Sequence, residues 1–347
     1  MKDIYYHMVR WLARMAVCLF YNPIEINGLD NIPKKSGHLI FAPNHQSAFL
    51  DAILVAVFST KPIFFLTRSD VFKFPFKYFL YSLNMMPVYR KRDGYKTLSK
   101  NEAVFQTCKQ LVQSGRPILL FPEASQELVH YLRPLSRGLS RIAQLCQKDF
   151  DQEVYIIPVG LNYFNHLRGG TKLIINFGKP LNVRDYLDKH PDKTTAINAI
   201  REASSAAIKS EMLIPDYDDA YEEKVAYLNR NYYDYSFTEM KQLLSSPVLE
   251  TAKQAGRQVW LIIPAILLEI VNLPYFLIKH SVIAFLVKDK TFYASIKLAL
   301  LMFLLPVYLM LSFVFFEGLW NYFLATVLVL LQLAALRQRF KLEKYLV

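Results

Sequence analysis

Between residues 37 and 180 the chain alternates short apolar runs with helix-like stretches, and this rhythm restricts the fold more than any other feature. The runs 38–42, 62–66, 85–89, 118–121, 154–159 and 173–177 are dense in Ile, Val, Leu and Phe and read as strands. Segments 52–58, 97–113 and 136–147 carry helical spacing between them. Alternation of this kind builds an α/β fold, a mostly parallel sheet flanked by helices. In such sheets chemistry gathers where strands end and loops begin. A further surface helix is expected at 194–210.

Both ends of the chain carry a different pattern. In residues 4–20, Ile4, Tyr5, Met8, Trp11, Leu12, Met15, Ala16 and Leu19 fall at helical spacing, with His7, Arg10 and Arg14 on another face. Trp beside basic residues suits a helix lying in the lipid headgroup layer, so residues 1–22 are expected to be an interfacial anchor. The alternative is an amphipathic helix packed on its own domain. The α/β domain should then span 23–213 and a polar, Tyr-rich helical connector 214–257. The connector's acidic run (Asp216, Asp218, Asp219, Glu222, Glu223) reads as a solvated face.

Residues 258–347 read as a C-terminal helical membrane region. Residues 296–316 hold one charge, Lys297, and residues 319–336 hold none, with Glu317-Gly318 between them as a polar turn. Together, residues 296–336 predict a transmembrane hairpin. Lys288 and Lys290 before it, and Arg337, Arg339, Lys341 and Lys344 after it, place both ends on the cytoplasmic side. Residues 259–287 are apolar but contain Pro264, Glu269, Asn272 and Pro274. With Arg257 and Lys288 on one side of the membrane, this stretch cannot cross once. A re-entrant or interfacial segment broken near Asn272-Leu273-Pro274 is expected, with a plain third span as the rival.

The net charge of +12 calls for an anionic partner. The chain has no zinc-finger spacing, RRM signature or basic region running into heptads, so nucleic acid is not expected. Beside membrane-length apolar segments, an anionic bilayer surface is the better reading. Cys18, Cys108 and Cys146 are odd in number and widely spaced, which argues against a disulfide framework. No Cys/His/Asp cluster has ligand spacing, so no metal is expected.

Four short blocks carry candidate chemistry. Asn44-His45 and Asp51 lie at a predicted strand-to-helix junction. His45 is suited to take a proton near neutral pH, and a carboxylate on its second ring nitrogen would fix the tautomer. Asp51 is the only acid between Asp30 and Asp70. On one helix the pair would stand about 120° apart, so a turn must bring them together. Taken alone, a His near an Asp is more often structural. Pro87-Val88-Tyr89-Arg90-Lys91-Arg92 delivers a basic triplet into a turn, either a solvated run or a phosphate clamp. Phe121-Pro122-Glu123-Ala124 presents a carboxylate at a strand tip, and Ile157-Pro158-Val159-Gly160 places Pro and Gly in a strand where close approach is needed.

In this order and spacing, over roughly residues 35–180, the blocks resemble those of the glycerolipid acyltransferases, and Leu132-Arg133-Pro134-Leu135 with Arg137-Gly138 resembles a bacterial branch of them. The resemblance implies that His45 is a general base oriented by Asp51. It implies that Arg90 holds the acceptor's phosphate and that Glu123 positions the acceptor's glycerol hydroxyls. Arg68, Arg92, Arg133 and Arg137 join the candidate substrate-binding residues. The donor would be an acyl carrier protein or coenzyme A thioester, with no further cofactor. The acceptor would be 1-acylglycerol-3-phosphate or glycerol-3-phosphate, and the place of action the cytoplasmic face of a cell inner membrane. A thioester is already activated, so the reaction needs alignment and deprotonation rather than a nucleophilic Ser or Cys; Ser47 reads as a turn residue.

Three departures from the family pattern bear on the acceptor. Five residues separate His45 from Asp51 where most members have four, so a wider turn is expected. Ala124 replaces Gly and restricts the backbone there. Ser125, Gln126 and Glu127 stand where a basic residue is common, with Arg133 or Arg137 as substitutes. Acylation of another lyso-lipid, such as an aminolipid, is the alternative activity, and a non-catalytic lipid-binding protein the alternative class.

Overall fold

The computed structural model describes residues 2–34, 37–59, 61–74, 76–89, 100–230, 235–246, 272–319, 326–327 and 329–332. In chain order the elements are α1 (Lys2–Phe20), β1 (Ile24–Asn27), β2 (Leu39–Pro43), α2 (Ala48–Phe58), β3 (Phe64–Arg68), α3 (Phe76–Ser82), β4 (Met85–Val88), α4 (Lys100–Gln113), β5 (Ile118–Leu119), α5 (Gly138–Gln147), β6 (Tyr155–Tyr163), β7 (Leu173–Phe177) and β8 (Leu181–Asn182). Helices α6 (Val183–Lys189), α7 (Lys193–Ser210), α8 (Tyr221–Arg230), α9 (Phe237–Ser245), α10 (Leu273–Leu286) and α11 (Tyr293–Leu319) follow.

The strands form one sheet in the order β1-β7-β6-β2-β5-β3-β4, with β8 also on β6. All pairs are parallel except β6–β7 and β6–β8. The expected mostly parallel α/β architecture is therefore present. Both faces are covered, which is why β2 is buried at every position and needs an unbroken apolar run. The two-residue side-chain period divides each strand between two cores. Leu39, Phe41, Ile157 and Val159 face α1, α2 and α11, whereas Ile40, Ala42 and Ile156 face α4, α5 and α7. Each such fully buried side chain contributes roughly 1.5–3 kcal/mol. At Gly160 an added Cβ would lie 2.0 Å from the Glu211 carbonyl oxygen, the close approach its residue type suggested.

Helix α1 packs on the domain through Tyr6, Val9, Ala13, Ala16, Val17 and Phe20. Its other apolar stripe, Ile4, Met8, Trp11 and Met15, stays exposed. The helix thus packs on its own domain, as the alternative expected, and carries a second apolar stripe that the domain leaves uncovered. Arg10 donates to the Ser59 carbonyl at the end of α2. The 214–257 stretch is more than a connector: α8 and α9 bury Tyr221, Tyr227, Leu228, Met240 and Leu244 against Phe164 and Ile174. Its acids stay at the surface, with Asp216 and Asp218 on Lys209 and Lys224.

Helix α11 has 27 residues, and the stretch Lys290–Phe315, most of it in this helix, is long and apolar enough to cross a membrane. The helix begins three residues before the predicted span and continues through Glu317-Gly318, which close its last turn rather than forming the expected hairpin turn. Its first half packs on the domain through Ala294, Leu298, Leu301 and Leu305, and Val307, Met310, Leu311 and Val314 beyond them are exposed. Most of the second hairpin arm lies outside the described residues. So does 259–271, the first half of the segment expected to re-enter. The expected break at Asn272-Leu273-Pro274 is where α10 starts, with Asn272 as its N-cap. Helix α10 has 14 residues, about 21 Å of rise, too short to span a bilayer core.

Candidate active site

The carboxyl ends of β2, β3, β4 and β5 lie side by side at one end of the sheet. His45 and Asp51 after β2, Arg68 at the end of β3 and Glu123 after β5 are therefore gathered there by topology. Asn44 fixes the first block, exchanging two bonds with the Leu161 backbone: Oδ1 accepts from its N–H at 2.7 Å, and Nδ2 donates to its carbonyl at 3.0 Å. The chain then turns. Ala48 opens α2 at φ +44°, a left-handed conformation that an L-residue adopts at a cost, and the wider turn closes around Asp51.

His45 Nδ1 lies 2.8 Å from Asp51 Oδ2. The same oxygen accepts from the backbone N–H groups of Gln46 and Ser47, each at 2.8 Å, and Oδ1 accepts from the Tyr163 hydroxyl at 2.5 Å. Asp51 is fully buried, and four donors satisfy its carboxylate. The His45 ring stacks on Phe121 at 3.7 Å and 12°. Below the turn, Gln46 accepts from His166 Nε2 at 2.8 Å and donates to the His130 carbonyl. Burial pushes His130 down to about 4 and His166 well below the ordinary histidine value, so both rings are neutral supports.

The substrate-binding candidates fare differently. Glu123 Oε1 accepts from the His45 N–H at 2.6 Å, and Oε2 accepts from Arg133 Nε at 2.8 Å and Arg133 N at 3.2 Å. Arg133 also donates to Ser125 Oγ, the Ser125 carbonyl and the His45 carbonyl. Glu123 and Arg133 thus brace the His45 turn, and acceptor contact is not the task their visible bonds serve. Burial raises the Glu123 carboxyl above its usual range, opposed by the Arg133 guanidinium and the backbone N–H groups of His45 and Arg133. Arg68 closes β3, lines the cavity described below and pairs with Asp70 at 2.5 Å. Arg137 stands exposed at the N-cap of α5. Arg90 and Arg92 lie outside the described residues. Ala124 adopts φ +63°, so the left-handed conformation that favours Gly is reached despite the Cβ.

His45 opens onto a cavity of about 700 Å³ between α1, α2, α3 and α11. Its wall is chiefly apolar, including Val9, Ile53, Phe79, Met85, Ala299 and Met302. Sequence reasoning missed Tyr163, Gln46 and Ser295 as neighbours of the pair. Tyr163 lies 112 residues from Asp51, and no local signal joins them.

A His–Asp pair thus stands at the strand tips of an α/β sheet and opens on a chiefly apolar cavity. Residues 23–162 match the model of the acyltransferase family. The chain is 25% identical over 142 residues to a chloroplastic 1-acyl-sn-glycerol-3-phosphate acyltransferase of Brassica napus, covering 41% of this chain and 39% of the relative. It is 24% identical over 210 residues to one of Arabidopsis thaliana, covering 60% and 54%. The match thus spans about half or less of these relatives' length. The crystal structure of a 1-acyl-sn-glycerophosphate acyltransferase from Thermotoga maritima aligns with a TM-score of 0.44 at 16% identity, over 60% of this chain and 80% of that one.

Proposed function

We propose that this protein transfers an acyl chain from an acyl carrier protein or coenzyme A thioester to the free hydroxyl of 1-acyl-sn-glycerol-3-phosphate or of glycerol-3-phosphate. The observation that carries the reading is the 2.8 Å contact between His45 Nδ1 and Asp51 Oδ2, with His45 on the wall of the apolar cavity. Asp51 Oδ2 already accepts from two backbone N–H groups. It therefore accepts from Nδ1–H and leaves Nε2 as the base. Nε2 takes the proton of the acceptor hydroxyl, whose oxygen attacks the thioester carbonyl. The C–S bond then breaks, an ester forms, and the departing thiolate recovers the proton from His45. The cavity takes an apolar acyl chain, which excludes water from the thioester.

Arg90 and Arg92 come just after β4 in the sequence and are proposed to meet the acceptor's phosphate. The exposed stripe of α1 and the apolar half of α11 are proposed to face an anionic bilayer, at the cytoplasmic side of a cell inner membrane. A second acceptor class, a lyso-lipid without a free phosphate, is favoured by one observation: Arg133 is occupied by Glu123 and Ser125.

The test offers labelled acyl donor and a panel of acceptors to membranes bearing wild type or His45→Ala. Acylation of lysophosphatidate lost in the variant supports the main reading, and turnover only on a non-phosphate acceptor supports the second. Turnover independent of His45 on every acceptor would sink both.

A further inference from the structure

The hydroxyl of Ser295, in the first turn of α11, is fully buried against the turn that holds His45 and Asp51. Its Oγ donates to the Ser47 carbonyl at 3.0 Å and accepts from the Leu50 N–H at 3.1 Å. Ser47 and Leu50 flank the left-handed Ala48, and Ser47 N–H is itself one of the donors to Asp51. One hydroxyl from a helix 245 residues away thus grips both ends of the turn that sets the distance between His45 and Asp51. A second fastening lies two residues along. Lys297 donates to the Leu167 carbonyl at 3.0 Å, in the loop that carries His166, which supports Gln46. Beyond it, Ile296, Ala299, Met302 and Phe303 line the cavity into which His45 opens.

We propose that Ser295 is a positioning residue for the His45–Asp51 turn, and that the apolar C-terminal helix is a working part of the acyl-transfer site as well as a membrane attachment. The proposal rests on the acyl-transfer reading above. The hydrogen-bond arrangement separates positioning from folding. Leu50 N–H also reaches the Ser47 carbonyl directly at 3.1 Å, so loss of the Ser295 hydroxyl leaves neither backbone group unpaired. The turn keeps its internal bond and loses its anchor to α11. A shift of well under an ångström at His45 is then felt in the chemical step and not in substrate binding.

The experiment uses the full chain in detergent micelles or reconstituted vesicles. It compares wild type, Ser295→Ala, Ser295→Thr and His45→Ala for kcat, for KM of donor and acceptor, and for thermal midpoint. Ser295→Ala should lose kcat about tenfold or more, keep both KM values within about twofold, and remain folded. Ser295→Thr, which restores the hydroxyl, should recover most of the loss. Wild-type kcat in Ser295→Ala overturns the proposal. So does a loss explained by less folded protein, or a folded Ser295→Thr as impaired as the alanine, since packing would then be the cause. An inactive His45→Ala beside an unimpaired Ser295→Ala leaves the acyl-transfer reading standing and removes this one alone; a fully active His45→Ala removes both.

Discussion

The Tyr163 hydroxyl donates to Asp51 Oδ1 at 2.5 Å, so the carboxylate that holds His45 is itself held by the last residue of β6. Burial, and then the nearby Asp51 charge, keep the Tyr163 hydroxyl protonated far above the usual tyrosine range. Tyr163→Phe removes that donor and leaves the ring packing intact. Asp51 keeps its other three bonds, so turnover is expected to fall about tenfold with little change in KM. Asp51→Asn removes the acceptor for Nδ1–H and should cost on the order of a thousandfold. Steady-state kinetics on reconstituted protein check both. Equal kcat in wild type and Tyr163→Phe would show that the bond to β6 has no part in turnover.

Glu123 and Arg133 are expected to act as a brace, and the brace can be told from a substrate clamp. Arg133→Met leaves a buried carboxylate unpaired and should destabilise the protein by roughly 3 kcal/mol. Glu123→Gln combined with Arg133→Met removes the stranded charge, while the Gln oxygen still accepts from His45 N–H. The double variant should therefore melt above the Arg133→Met single. A clamp would give the opposite pattern: an unchanged melting temperature and a raised KM for phosphorylated acceptors only.

Ala124 sits at φ +63°. An L-residue there costs about 1–2 kcal/mol against the right-handed region, and Gly gives back roughly 0.5–1 kcal/mol of that gain through its greater unfolded-chain entropy. Ala124→Gly should thus stabilise the protein by about 0.5–1 kcal/mol, and Ala124→Val, whose branched Cβ tolerates positive φ least, should destabilise it. Thermal melts of the two variants decide this, and a stabilising valine would contradict the backbone assignment.

His130 titrates near 4 when folded, below the value of about 6.5 expected unfolded. Between those values the unfolded chain binds a proton that the native state refuses. The stability from keeping His130 neutral is whole above about pH 6.5 and lost as pH falls toward 4, roughly 3 kcal/mol in all. His166 is depressed by the same burial and acts in the same direction. The melting temperature should fall steeply across this interval, and His130→Gln should flatten the fall. An unchanged slope in that variant would assign acid sensitivity elsewhere.

Strand β7 was legible to the residue at 173–177, because five consecutive apolar-rich positions buried on both faces leave one reading. Strand β1 was missed: Ile24-Glu25-Ile26-Asn27 is short, half polar and only partly buried, and its identity comes from pairing with β7. The face of α1 that turns inward was equally unreadable, since both stripes are apolar and only the shape of the neighbouring helices selects Val9 and Val17 over Met8 and Trp11.

The sequence by itself determined the α/β rhythm, the carboxyl-end placement of His45, Asp51 and Glu123, and the apolar helix at the C-terminal end. These follow from local periodicity and block order, which a linear text records. Only the tertiary structure decided that Glu123 pairs with Arg133, that Tyr163 completes the Asp51 shell, and that Ser295 reaches the turn from the other end of the chain. Those contacts join residues 10, 112 and about 245 positions apart. They are set by strand order and helix docking, where each side chain bonds whatever the fold places within hydrogen-bond reach.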